Sequence, residues 1–69
     1  MPRLIVQMIE GRTVEQKREL ARRLSETVID LLKVDPETVT VFIEEVPPEN
    51  FARAGMLALD RRAAKRPTE

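Results

Sequence analysis

Residues 3–16, RLIVQMIEGRTVEQ, hold an extended run, a turn and a helix start in one short stretch. Arg3 to Ile9 is brief and rich in branched apolar residues, as a strand requires, with Leu4, Val6 and Met8 on one face and Ile5, Gln7 and Ile9 on the other. Both faces are largely apolar, so both call for cover, as on a parallel strand with a helix on one side and another layer opposite. Glu10-Gly11-Arg12 makes the turn. Thr13 and Gln16 then stand at capping-box spacing, each side chain able to satisfy a backbone N–H that a helix start leaves open.

Downstream, Leu20, Leu24, Thr27, Val28 and Leu31 recur at intervals of three and four, while Glu19, Arg22, Arg23, Glu26 and Asp30 fill the remaining surface. That periodicity predicts one amphipathic helix of roughly five turns. Asp35-Pro36 should end it, because the residue before a proline is pushed out of the helical region. Val39, Val41 and Ile43 then alternate with Thr40, Phe42 and Glu44, a second strand running to about Val46, where Pro47-Pro48 stops it. Strand, helix, strand over this length is a βαβ unit with parallel strands and a right-handed crossover.

After the prolines, ENFARAGMLALD (49–60) reads as two brief extended pieces around a positive-φ turn at Gly55, a small hairpin suited to latching onto a neighbouring subunit. The last stretch, RRAAKRPTE (61–69), is basic and lacks an apolar face, which predicts a frayed tail. The expected organisation is therefore α/β: one domain over 1–60, a single βαβ unit with a short C-terminal hairpin, and a tail over 61–69.

A chain of 69 residues buries too little apolar surface to be comfortably stable alone. Disulfides and a structural metal are the usual supplements, but the chain has no Cys and no His. Association with further copies remains, and it would also complete a two-stranded sheet whose edges are open. The 12 basic and 12 acidic residues leave no net field to draw the whole protein to nucleic acid or an anionic membrane. Two phenylalanines, with no Trp or Tyr, offer no stacking platform for single strands, and Gly11 and Gly55 form no phosphate-cradling loop. No apolar stretch approaches the ~20 residues that span a bilayer, so the reading is a soluble cytoplasmic protein.

Without His, Cys or Tyr, the usual acids, bases and nucleophiles are scarce. The chain terminus then becomes a candidate. Pro2 is small enough to favour removal of Met1, which would expose a secondary amine at the start of a strand, where it is held rigidly. An α-amine titrates near ~8, and an apolar site or nearby guanidinium groups would favour its neutral, basic form. By composition alone an ordinary second residue is the plainer account of Pro2.

The opening MPRLIVQMIEGRTVEQKREL resembles the 4-oxalocrotonate tautomerase family. The likeness rests on Pro2, the EGRT turn at Glu10 to Thr13, the EQK after it, FIEEV at Phe42 to Val46, Asn50-Phe51-Ala52 and the Ala54-Gly55 turn, and it runs on to Asp60. It implies a βαβ protomer assembled as a homohexamer, a trimer of dimers, with each terminal proline in a site shared between neighbours. It implies a cofactor-free and metal-free isomerase of aromatic catabolism, in which Pro2 takes a proton from a small 2-hydroxydienoic or related enol acid and returns it to a distant carbon. It assigns Arg12 to holding a substrate carboxylate from an adjacent subunit, a task that suits the planar guanidinium fork. It assigns Phe51 to the pocket wall, keeping the site dry.

Two departures stand out. Where family members carry a second arginine in the second strand, this chain has Thr40, and losing one hydrogen bond to a charged group is worth about 1.5–3 kcal/mol. Arg3 and Arg53 are the candidates to replace it. The sister activity, hydrolytic dehalogenation, needs a water-activating carboxylate and a further arginine at positions that here hold Arg53 and Ile9. A non-catalytic or heteromeric subunit on the same scaffold is the alternative reading. A third is anion or nucleic-acid attachment through Arg61, Arg62, Lys65 and Arg66, against which a simply solvated tail is the plainer account.

Overall fold

The computed structural model describes residues 2–65, the last four by their backbone alone. The elements run β1 (Arg3–Ile9), α1 (Val14–Leu32), a 3₁₀ turn (Pro36–Thr38), β2 (Thr40–Val46), a second 3₁₀ turn (Pro48–Asn50), β3 (Ala52–Arg53), β4 (Met56–Leu57) and α2 (Ala58–Lys65). β1 and β2 pair in parallel, from Arg3 opposite Thr40 to Ile9 opposite Val46. The expected βαβ unit and C-terminal hairpin are both present.

Gly11, at φ 130, opens the turn after β1 in a region that side chains rarely enter. Thr13 then caps α1 as its spacing predicts: its hydroxyl accepts from the Gln16 N–H at 3.1 Å, and its own N–H donates to Gln16 Oε1 at 2.9 Å. The helix ends at Leu32, three residues ahead of Asp35-Pro36. Asp35 is already committed to capping the following 3₁₀ turn, where its carboxylate accepts from the Glu37 N–H at 3.1 Å. The exit therefore falls to Lys33, which turns left-handed at φ 55 and donates its N–H to the Ile29 carbonyl at 2.9 Å.

The inward face of α1 is rotated from the expected one. Lys17, Leu20, Ala21, Leu24, Ser25, Val28 and Ile29 are partly covered, whereas Thr27 is exposed and Leu31 is 76% exposed. Opposite them lie Leu4, Val6 and Met8 of β1 with Val41 and Ile43 of β2, the less exposed residues of each strand. Lys17 Nζ reaches Glu45 Oε1 of β2 at 2.6 Å and ties helix to sheet. On the solvent side of α1, Glu19 accepts from Arg22 and Arg23, which holds its carboxyl below the usual range. These groups are largely exposed, so solvent screens most of that benefit.

In the hairpin, Ala54 (φ 53) and Gly55 (φ 82) both take positive φ, as a tight type I′ turn demands, and Ala52–Arg53 pairs antiparallel with Met56–Leu57. Beyond it the helix α2 continues through Arg61–Lys65, the start of the stretch expected as a frayed tail, with Asp60 in its first turn; a helix this short needs packing, and α2 rests on the Pro48–Asn50 turn and β4. The basic side chains from 62 onward, and all of 66–69, lie outside the described residues.

No side chain among the described residues is fully buried. The other face of the sheet is bare, with Ile5 53% and Phe42 45% exposed. The radius of gyration is 16.1 Å, against about 11 Å for a compact domain of this length. The chain thus has the proportions of a protomer with unpartnered apolar faces. No helix among the described residues is long and apolar enough to cross a membrane.

Candidate active site

Pro2 sits just ahead of β1, half-buried, and the parallel ladder extends to it. Its carbonyl accepts the Thr40 N–H at 3.1 Å, with the Thr40 hydroxyl a longer contact at 3.5 Å. The residue is thereby fixed through its carbonyl, and its ring and nitrogen stand at the sheet's end, outside the ladder. Beside it, Arg3 rises on the bare face, its guanidinium carbon 4.8 Å from the centroid of the Phe42 ring. Arg3 is opposite Thr40, and Phe42 opposite Ile5, so the two side chains share one face at neighbouring strand pairs.

Phe51 is held at the other end. The Pro48–Asn50 turn redirects the chain after β2, and the Phe51 carbonyl then accepts from the Ala58 N–H at 2.8 Å, which anchors it to the start of α2. Its ring, 42% exposed, lines an open cavity of about 330 Å³ with Gln7, Met8, Ile9, Val46 and Asn50. That volume is at the small end of ligand sites and suits a small acid.

Arg12 lies at the same end, exposed on the turn before the α1 cap. It lines a second cavity of about 260 Å³ with Met8, Gln16, Lys17 and Leu20, so Met8 is a wall common to both hollows. Among the described residues Arg12 makes no ion pair, whereas Lys17 beside it is paired with Glu45. An unpaired guanidinium at an open apolar hollow can take a carboxylate from solution.

The three candidate residues therefore divide. Arg12 and Phe51 stand together at the C-terminal end of β1, while Pro2 stands at the N-terminal end, seven residues away along a strand that rises ~3.3 Å per residue, or about 23 Å. One protomer does not bring the proline nitrogen to the arginine and the phenylalanine. Met8, Gln7 and Asn50, not singled out by their chemistry in the sequence, complete the Phe51 hollow; Asn50 was visible only as the residue before Phe51. No group of three or more potential metal ligands occurs among the described residues.

The chain is similar to known proteins over most of its length. A family model described as tautomerase enzyme matches residues 2–61. The chain is 44% identical over 55 residues to 2-hydroxymuconate tautomerase from Bacillus subtilis strain 168, an overlap of 80% of this chain and 89% of that one. Among solved structures it is similar to one of the 4-oxalocrotonate tautomerase isozymes from Methylibium petroleiphilum, with TM-score 0.88, 41% identity and coverage of 91% of this chain and 98% of the other. It is also similar to a chain of a heterohexamer 4-oxalocrotonate tautomerase from Chloroflexus aurantiacus J-10-fl, with TM-score 0.82, 38% identity and coverage of 87% and 97%.

Proposed function

The chain belongs to the tautomerase enzyme family, and from that premise we propose that it is a cofactor-independent isomerase that ketonises a small 2-hydroxydienoate or related enol acid in a site shared between protomers. Pro2, once Met1 is removed, is the general base. Its nitrogen takes the proton of the 2-hydroxyl, the O–H electron pair becomes the new carbonyl, the double bonds move along the chain, and the proton is delivered to a distant carbon. Atoms balance without an oxidant or a second substrate. Arg12 of an adjacent protomer holds the far carboxylate, and Phe51 walls the pocket and keeps water from the amine, which favours its neutral form.

The observation that carries this reading is the isolation of Pro2 from Arg12 and Phe51 within one chain, about 23 Å by strand rise, in a protomer with no buried core among the described residues. A second copy packed end to end against the sheet would close that gap and cover the bare apolar surface together. The experiment is ketonisation of 2-hydroxymuconate followed by ultraviolet absorbance, with intact mass as its companion. The mass should lack the initial methionine, and Pro2→Ala should lose at least a hundredfold in kcat while keeping the assembly's mass. An unchanged rate in Pro2→Ala would exclude the base.

The heteromeric reading keeps specific support in Thr40, which supplies a hydroxyl where the family resemblance implies an arginine, and in the similarity to a heterohexamer chain. Activity of the purified chain alone, dependent on Pro2, excludes it. Inactivity restored by adding a second tautomerase-like chain supports it.

A further inference from the structure

Five cationic side chains with described surroundings stand far from Pro2 or are already engaged. Lys17, Arg18, Arg22 and Arg23 each pair with a glutamate, and Arg12 lies at the opposite end of the sheet. Arg53, in the hairpin that follows β2, and Arg61, in the helix that packs on the Pro48–Asn50 turn and β4, belong to that far end too. At the Pro2 end two cations remain. One is Lys33, on the left-handed residue that ends α1, since a helix returning antiparallel to β1 finishes where the strand began. The other is Arg3.

These two differ in how they are held. The Arg3 guanidinium rests 4.8 Å from the Phe42 centroid and makes no ion pair among the described residues. Stacking on a ring face restrains the planar group while leaving its N–H fork free to donate to a carboxylate. Thr40, opposite Arg3 in the ladder, brings no charge, and its hydroxyl is turned toward the Pro2 carbonyl. The guanidinium leans over the second strand pair, about 7 Å back from the sheet's end by strand rise. The Ile5–Phe42 pair lies three residues from Pro2, about 10 Å by strand rise, so a five- or six-carbon acid held by one carboxylate on the Pro2 side of the guanidinium extends toward the proline nitrogen.

We propose that Arg3, pinned on Phe42, is the residue that binds the substrate carboxylate nearest the reacting end, beside the Pro2 nitrogen. The proposal rests on the reading of Pro2 as base and adds the determinant of which acids that base meets. It makes 2-oxo and 2-hydroxy acids, whose carboxylate adjoins the reacting oxygen, the preferred class over neutral enols. Phe42 is a positioning residue in this arrangement: it sets where the fork points.

The test uses the processed full-length assembly, with malonate as a probe that needs no turnover. Its binding is followed by the shifts of the Arg3 Nε–H and the ¹⁵N-labelled Pro2 nitrogen, and in the variants by the Pro2 signal. Arg3→Ala should weaken malonate at Pro2 at least tenfold, and raise KM for 2-hydroxymuconate by about 10–100-fold with a smaller change in kcat. Arg3→Lys should recover part of both, and Phe42→Leu should weaken both by a few-fold. Arg18→Ala, which removes the same charge from the helix, and Lys33→Asn, which keeps a residue at ease in the left-handed cap, should stay within twofold of the wild type. Malonate binding unaltered in Arg3→Ala, or weakened as strongly in Lys33→Asn, overturns the proposal. Failure of the base reading appears separately, as a Pro2→Ala variant that still turns over while the malonate response of Arg3 persists.

Discussion

Arg12 has the exposure and the freedom of a residue that waits for a partner. Its backbone follows Gly11 at φ 130 and precedes the Thr13 cap, so the turn that carries it is fixed on both sides while the side chain is not. Anchoring a carboxylate by a charged hydrogen bond is worth about 1.5–3 kcal/mol. Arg12→Ala is therefore expected to raise KM for 2-hydroxymuconate roughly 10–100-fold with no loss of thermal stability. Arg12→Lys should restore only part of it, because an ammonium cannot grip both oxygens. An unchanged KM in steady-state assays would remove Arg12 from the site. The residue itself was legible in the sequence through the EGRT turn, and so were Pro2 and Phe51 through their neighbours. Their separation was readable only once the strand direction was known, because a βαβ unit sends the turn after β1 to the end opposite the chain's start. Arg3 was the reverse case. Its place over Phe42 depends on the register of two strands 37 residues apart, and nothing in the local sequence encodes that pairing.

At the level of elements, the start of α1 is the most strongly specified joint in the chain. Thr13 and Gln16 exchange two hydrogen bonds at 3.1 and 2.9 Å, and the same turn positions Arg12 beside the Met8 hollow. Thr13→Ala should cost ~1 kcal/mol per protomer, read as a lower denaturant midpoint at fixed protein concentration. Thr13→Ser should sit close to the wild type. A midpoint unmoved by Thr13→Ala would show that assembly contacts, rather than the cap, hold this joint. Such features were legible because they are local: the cap needs four residues, Thr13 to Gln16, and the Ala54-Gly55 turn needs two. The inward face of α1 was not. Apolar residues line two overlapping stripes, one through Thr27 and Leu31 and one through Ala21, Ser25 and Ile29, and only the sheet's position chooses between them. α2 escaped notice for a related reason: its basic stretch shows no long apolar run, and its packing against the Pro48–Asn50 turn and β4 cannot be read locally.

The whole protomer exposes 5695 Å², where a compact protein of this size exposes roughly 4,400 Å². The difference, about 1,300 Å², exceeds the ~800 Å² that each partner gives up in a standard interface, so more than one contact surface is indicated. Its largest apolar element is the bare sheet face, where Ile5 stands opposite Phe42 in the ladder. Placing a charge there discriminates sharply between a lone protomer and an assembled one. In a lone protomer Ile5→Lys exchanges one exposed side chain for another, a change of at most ~0.5 kcal/mol. In an assembly that covers the face, it buries an unpaired ammonium at a cost of several kcal/mol. Sedimentation velocity of Ile5→Lys should therefore show dissociation to smaller species at concentrations where the wild type is whole. The thermal midpoint should fall and become steeply dependent on protein concentration. Turnover should vanish with the assembly although Pro2, Arg12 and Phe51 are untouched, because no single protomer holds the three together. An Ile5→Lys protein with wild-type mass and wild-type rate would mean that this face stays in solvent, and the shared site would then have to be built from the sheet edges and the hairpin instead.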